Sequence, residues 1–122
     1  MSDSTLHLHF EHEGLVIDCD DVGESATIRW KGISDTRDPA AQLTPFFAGL
    51  VLHLRGRPVL VDFRELEYMN SAVVSPLIHL VKNLDAAGAR TTLLFDTAVP
   101  WQKANAHCMR AIGRTLSNVQ VP

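Results

Sequence analysis

The chain has 122 residues, of which 46% are hydrophobic and 20% charged, so it is large enough for one domain with a sizeable core. Its formal net charge of −3 argues against a nucleic-acid-binding or anionic-membrane-binding protein, because both need a basic surface. It contains neither an apolar run of membrane-spanning length nor the apolar core of a signal peptide at its N-terminus. We therefore expect a single cytoplasmic domain over residues 1–122, with residues 1–5 flexible.

The first quarter of the chain predicts three strands. Apolar and polar residues alternate over residues 6–10, which is the period of a half-buried strand. Residues 15–18 and 26–30 are two further short apolar segments, separated by the acidic turn at residues 20–23. Short strands joined by tight turns indicate an antiparallel meander.

The rest of the chain predicts alternating helices and strands. Asp38-Pro39 and Thr44-Pro45 each combine a capping residue with proline at a first helical position, so either marks a helix start. The elements that follow are a helix to about Leu54, a strand over 58–63, a helix over 71–87, a strand over 91–95, a helix over 100–112 and a short edge segment at 119–121. Such alternation implies parallel strands with right-handed crossovers. We predict an α/β fold, with a mixed sheet and helices mainly on one face.

The same patterns predict the core. Residues 59–61 are apolar without alternation, which is typical of a central strand that is buried on both faces. The predicted core comprises Leu50, Val51, Leu60, Leu77, Val81 and Leu93. The predicted inner face of the last helix comprises Trp101, Ala104, Cys108, Ala111 and Ile112.

The segment from Pro58 to Ser71 holds the main functional signal. Its strand leads into a charged stretch, residues 64–70, which we interpret as a loop. Asn70-Ser71 then stands where a helix begins, at its unpaired N–H groups and positive dipole end. A hydroxyl there can cap the helix or, once phosphorylated, hold its phosphate in a favourable field. Ser75-Pro76 is a rival helix start, and Ser75 is the weaker candidate for modification.

This segment resembles the STAS domain, named for sulfate transporters and anti-sigma-factor antagonists. Asp62-Phe63 stands where the family's strand ends, Asn70 stands for the motif aspartate, and Ser71 for the residue that is phosphorylated. The motif glycine is absent, since Ala72-Val73 follow. Tyr68-Met69-Asn70-Ser71 is similar to the variant found in STAS-like phosphoproteins of biofilm partner switches. The resemblance implies a STAS-like mixed sheet with an antiparallel N-terminal meander.

The resemblance also implies a function. It predicts a non-enzymatic signalling protein of a bacterial partner-switching system, regulated by phosphorylation at Ser71. Its partner is then a serine/threonine switch kinase, a phosphatase or a downstream effector. The predicted partner-binding residues are Arg64, Glu65, Glu67, Tyr68, Met69, Asn70, Ser71 and Ser75. Two alternatives stay open: a STAS-like scaffold that is never phosphorylated, and a small-molecule binder or minor enzyme with a pocket near Trp101 and the acidic turns.

Other candidate sites are weaker. His7, His9 and His12 have the look of a metal cluster, but a solvated strand face explains them as well. Cys19 and Cys108 form no CxxC pair and are expected to be free thiols. The chain lacks the GxSxG, GxxxxGK and GxGxxG patterns, so we predict no catalytic residue, no cofactor and no metal.

Overall fold

The computed structural model describes the backbone from His7 to Pro122 and the side chains from Leu8 onward. Residues 1–5, predicted to be flexible, lie outside the described residues. The elements are β1 (His7–His12), β2 (Leu15–Val22), β3 (Ser25–Ser34), α1 (Pro39–Leu54), β4 (Pro58–Met69), a short 3₁₀ helix (Ser71–Val73), α2 (Val74–Ala86), β5 (Arg90–Leu94), α3 (Pro100–Gly113) and β6 (Val119–Gln120). No helix within residues 7–122 is long and apolar enough to cross a membrane.

The strands form one mixed sheet in the order β1-β2-β3-β4-β5-β6. The first two pairings are antiparallel and the other three are parallel. Short turns join the antiparallel strands, whereas α1, α2 and α3 provide the long crossovers that parallel neighbours need. The predicted N-terminal meander and mixed sheet are both confirmed.

One face of the sheet is buried beneath the helices. Buried residues alternate with half-buried or exposed ones along residues 15–20 of β2 and 25–31 of β3, so each strand presents every second side chain to the core there. Trp30 lies at the centre, with ring centroids 5.2 Å from Phe63 and 6.0 Å from Phe47. Of the predicted core, the confirmed residues are Leu50, Leu77, Val81 and Leu93.

Two core predictions are wrong. Leu60 is only half-buried, because Val59 and Val61 point into the core and Leu60 therefore projects from the opposite face of the sheet. Val51 is half-buried because it lines an open groove between α1 and α2. The apolar run at residues 59–61 therefore does not mean that both faces of β4 are fully buried, because only the face with Val59 and Val61 is.

The predicted inner face of α3 is also wrong. Its buried residues are Gln102, Ala106 and Met109. The predicted face is half-buried at Trp101, Cys108 and Ile112 and exposed at Ala104 and Ala111. The misleading residue is Gln102, a polar side chain that is 1% exposed. Its burial is possible because backbone groups satisfy its amide, as described below.

Both cysteines are free, as predicted. Cys19 is fully buried in β2, and burial raises the pKa of its thiol to about 11. A thiol that stays protonated is a poor nucleophile, so Cys19 acts as a small apolar core residue.

Candidate functional site

β4 is longer than the sequence predicts, and its outer half builds the site. Residues 64–69, interpreted as a loop, continue the strand and pair in parallel with β3 as far as Ser34 and Met69. The pairing contains two register irregularities, between Arg29 and Lys31 and between Gly32 and Ile33. We call residues 29–34 together with residues 63–69 the β3–β4 arm.

A close backbone contact lies at the base of the arm. Gly32 has φ +85°, and a Cβ there would lie 2.0 Å from the Gly14 carbonyl oxygen. The next residue uses that same carbonyl, because the N–H of Ile33 donates to it across 3.1 Å. Only glycine fits this position, and the contact ties the arm to the turn between β1 and β2.

Side chains of α3 hold the other edge of the arm. β5 pairs with β4 only as far as Asp62, so residues 63–69 have no strand on that side. There Gln102 Nε2 donates to the Leu66 carbonyl across 3.1 Å, and Trp101 Nε1 donates to the Glu67 carbonyl across 2.9 Å. Gln102 Oε1 accepts from the Asp96 N–H at 2.7 Å. The carbonyls of Leu66 and Glu67, which have no neighbouring strand on this side, therefore still accept hydrogen bonds.

Asn70 closes the arm and begins the next helix. Its Nδ2 donates to the Thr36 carbonyl across 2.9 Å, and its Oδ1 accepts from the Ala72 N–H at 3.0 Å. Its own N–H donates to the Ser34 carbonyl across 2.9 Å. An aspartate could still cap Ala72 but could not donate to Thr36. The amide at this position is therefore explained by the fold.

Ser71 is exposed and follows directly after this cap. It opens the 3₁₀ helix, and α2 begins three residues later, at Val74. Because Asn70 provides the capping bond, the fold does not require the Ser71 hydroxyl for that role. Ser75 is exposed in the first turn of α2, inside the helix rather than at its cap, so the rival helix start at Ser75-Pro76 is wrong.

The arm presents most of the predicted partner-binding residues to solvent. Arg64, Glu65, Glu67 and Tyr68 are exposed, and Asn70 is half-buried. Met69 is 5% exposed and packs in the core, so it does not belong to this surface. The difference arises because the predicted loop is a strand, in which Leu66 and Met69 point inward.

Arg64 is already committed to a carboxylate. Its Nε and Nη2 donate to the two oxygens of Asp62 across 3.0 and 2.9 Å. The Arg64 hydrogen bond holds the pKa of Asp62 below its usual value, although burial of the carboxylate opposes this. This bidentate pair fixes the point where the arm leaves the central sheet.

Ile33 is a surface residue that the sequence analysis missed. It lies opposite Tyr68 in the register, and the two side chains are 40% and 47% exposed. They form an exposed apolar pair, and Tyr68 lies three residues before Ser71. The alternating pattern predicts β3 only as far as Trp30, because the irregular register beyond it hides the continuation of the strand.

Two of the histidines, His9 and His53, contact carboxylates of β2. His9 Nδ1 lies 2.6 Å from Asp18 Oδ1, and its Nε2 lies 3.2 Å from Glu11 Oε1. His53 Nε2 lies 3.0 Å from Asp21 Oδ2, and Arg57 Nη2 lies 2.9 Å from Asp21 Oδ1. Among the side chains that the structure describes, which exclude that of His7, no group of three or more His, Cys, Asp or Glu residues is arranged to hold a metal ion.

Comparison with known proteins establishes the fold. No protein-family model and no curated protein sequence matches the chain. The structure is similar to that of the Bacillus cell fate determinant SpoIIAA in the phosphorylated form, with 19% identity, a TM-score of 0.58, and coverage of 87% of this chain and 90% of that chain. It is also similar to the anti-sigma factor antagonist SpoIIAA in its unphosphorylated form, with 17% identity, a TM-score of 0.59 and coverage of 87% of each chain. The STAS-like fold predicted from residues 58–71 is confirmed.

Proposed function

We propose that this protein is a non-enzymatic, cytoplasmic component of a bacterial partner-switching system, and that phosphorylation of Ser71 regulates its binding to a protein partner. The observation that carries the proposal is the exposed Ser71 at the junction of the β3–β4 arm and α2, with the capping role already filled by Asn70. The fold supports it, because SpoIIAA has this fold and has been solved in phosphorylated and unphosphorylated forms.

Phosphorylation acts mainly through charge. It adds about −1.5 to −2 charges at neutral pH. The arm already carries exposed carboxylates at Glu65 and Glu67, so a phosphate on Ser71 makes this end of the molecule more acidic. The 13-residue helix α2 follows immediately, and its positive dipole end stabilises an anion near its start. The modified serine therefore repels an acidic or apolar partner surface while the fold stays intact.

The partner is a switch kinase, a phosphatase or a downstream effector. The exposed Ile33–Tyr68 pair supplies an apolar anchor of the kind that dominates protein interfaces, where tyrosine is enriched. Glu65 and Glu67 lie in the same arm as this pair, so a phosphate on Ser71 adds charge to a surface that is already acidic, and that charge must be desolvated when a partner covers the apolar anchor.

Mass spectrometry of the protein purified from its native cells tests the proposal. We expect a phosphate on the peptide that contains Ser71. Ser71→Ala should abolish the modification, whereas Ser75→Ala, a matched change of an exposed serine four residues later, should preserve it. No phosphate under any growth condition, or a phosphate on Ser75 alone, would contradict the proposal.

A second candidate is a STAS-like scaffold that is never phosphorylated. It is favoured by Asn70, because the motif aspartate is replaced by an amide that the fold uses to bond Thr36. Incubation with the candidate kinase, followed by binding measurements on the Ser71→Asp and Ser71→Ala proteins, separates the two. Unequal binding of these variants supports the switch, and equal binding supports the scaffold.

A further inference from the structure

The outer face of α1 is unusual for a surface helix. None of its 16 residues is Asp, Glu, Lys or Arg. The exposed positions are nevertheless numerous: Ala41, Gln42, Thr44, Pro45, Ala48, Gly49 and Leu52. Leu52 is 71% exposed, which is the highest value among the large hydrophobic residues of the described chain. Helices that face water normally carry charged residues on that side, so this face indicates contact with another surface.

The exposed residues follow a regular spacing. Asp38, Ala41, Pro45, Ala48, Leu52 and Arg55 succeed one another at intervals of three and four, which places them on one stripe of the helix, as in a coiled-coil seam. Asp38 is the N-cap residue but makes no side-chain capping bond, and Arg55 follows the last helical residue. The stripe is acidic at its start, small and apolar in its middle, and basic at its end.

The stripe matches a second copy of itself that runs in the opposite direction. In an antiparallel pair of α1 helices, Asp38 lies opposite Arg55 of the second copy, Ala41 lies opposite Leu52, and Pro45 lies opposite Ala48. Opposite charges then meet at both ends, and the projecting leucine of each copy meets a small residue of the other. Small residues at the crossing let the two helices approach closely.

A groove beside the stripe enlarges the available surface. It has a volume of about 470 Å³ and lies between α1 and α2, where Ala48, Leu52 and Arg55 face Asn83 and Ala86. In the antiparallel arrangement the N-terminal half of the second copy's α1 lies along this groove. A two-fold pair therefore contacts both helices of each copy, and the same patch serves both copies, as in an isologous dimer.

We propose that the outer face of α1 docks a second copy of this chain in an antiparallel, two-fold arrangement. The occupant is a second copy because the charge at each end of the stripe matches the opposite end of the same stripe. One pair of helices is a small interface, so the dimer dissociates on dilution. The proposal does not rest on phosphorylation of Ser71, which is not part of the stripe.

Sedimentation velocity of the full chain over a wide concentration range tests the proposal. We expect a monomer–dimer equilibrium that Leu52→Arg weakens by about tenfold or more, as for a residue at the centre of an interface. Gln120→Arg is the control, because Gln120 is exposed in β6, the edge strand beyond β5, and is not part of the stripe. It should leave the equilibrium unchanged. Circular dichroism checks that both variants keep the native fold.

A charge swap tests the antiparallel register. Asp38→Arg and Arg55→Asp should each weaken the dimer, and the double variant should restore it, because each end then regains opposite charges. A wild-type protein that stays monomeric at every concentration overturns the proposal. A dimer that Leu52→Arg does not weaken, or that the double swap does not restore, also overturns it.

Discussion

The inner and outer halves of β4 are held in place by different means. Residues 59–62 pair with β3 on one side and β5 on the other. Beyond Asp62 the strand pairs with β3 alone, through an irregular register. Its free edge is held by Gln102 and Trp101, and its end is tied to Thr36 by Asn70. Both halves bury side chains in the core, but the outer half lacks a second strand beside it, so its position depends in addition on a few polar contacts. We therefore expect loss of these polar contacts to disturb the arm beside Ser71 locally, and loss of core packing to destabilise the whole fold.

The largest expected effect comes from the core beneath the inner half. Leu77 is fully buried in α2, so Leu77→Ala should reduce the free energy of unfolding by about 2–5 kcal/mol through lost burial and a cavity. Urea denaturation measures this change. Ser75→Ala, an exposed position on the same helix, should change it by no more than about 0.5 kcal/mol. Similar values for both variants would contradict the difference in burial.

Gly32→Ala should damage the base of the arm. The new Cβ would lie 2.0 Å from the Gly14 carbonyl oxygen at φ +85°, so the backbone must move. We expect a loss of about 1–3 kcal/mol in the free energy of unfolding. Gly49→Ala is the control, because Gly49 lies in α1 and a Cβ added there would meet no neighbouring atom within 4 Å. It should stabilise the protein by about 0.5–1 kcal/mol. A neutral Gly32→Ala would show that the arm is not tied to the turn at Gly14.

Gln102→Leu should loosen the outer half of β4 specifically. It leaves the Leu66 carbonyl and the Asp96 N–H without their side-chain partner, at a cost of about 1–3 kcal/mol. Relative to the wild type, hydrogen exchange should become faster for the amides of residues 63–69 and stay nearly unchanged for those of residues 58–62. Gln120→Leu, at an exposed position in β6, should alter neither set. A uniform increase along the whole of β4 would mean that the two halves open together.

Asn70→Asp restores the motif aspartate but removes the donor to Thr36. The capping acceptor for Ala72 survives, so we expect a loss of only about 1 kcal/mol in thermal or chemical unfolding. Ser71→Ala should leave stability within about 0.5 kcal/mol of the wild type, because the side chain is exposed. If Asn70→Asp is as stable as the wild type, the bond to Thr36 does not explain the amide.

The smallest expected effect is a pH dependence at the far edge of the sheet. Hydrogen bonds to Asp18 and then Glu11 raise the pKa of His9. The protonated imidazole therefore stabilises the folded state below its unfolded pKa of about 6.5, and this contribution is lost as the pH rises through the higher folded pKa. The Tm of the wild type should exceed that of His9→Gln by more at about pH 5.5, where the imidazole is protonated, than at about pH 8.5, where it is neutral. A difference independent of pH would show that the charge of His9 contributes nothing.

The sequence by itself determined the order of the elements, the mixed sheet and the position of Ser71 at the start of a helical region. These features follow from local signals: turn residues, the period of apolar residues, and a polar Asn-Ser pair before a helical pattern. Periodicity also identified Leu77 and Leu93 as core residues, because a regular element buries one face wherever it packs.

Only the tertiary structure decided which residues of β4 and α3 face the core. Residues 64–69 are charged enough to suggest a loop, but β3 continues beside them and supplies hydrogen bonds that no local pattern predicts. The same is true of Gln102, which is buried because the distant Leu66 carbonyl and the nearby Asp96 N–H satisfy its amide. It is also true of Met69, which lies in the core, and of Ile33, which lies on the surface. Such positions depend on partners far away in the chain, so periodicity and composition do not reveal them.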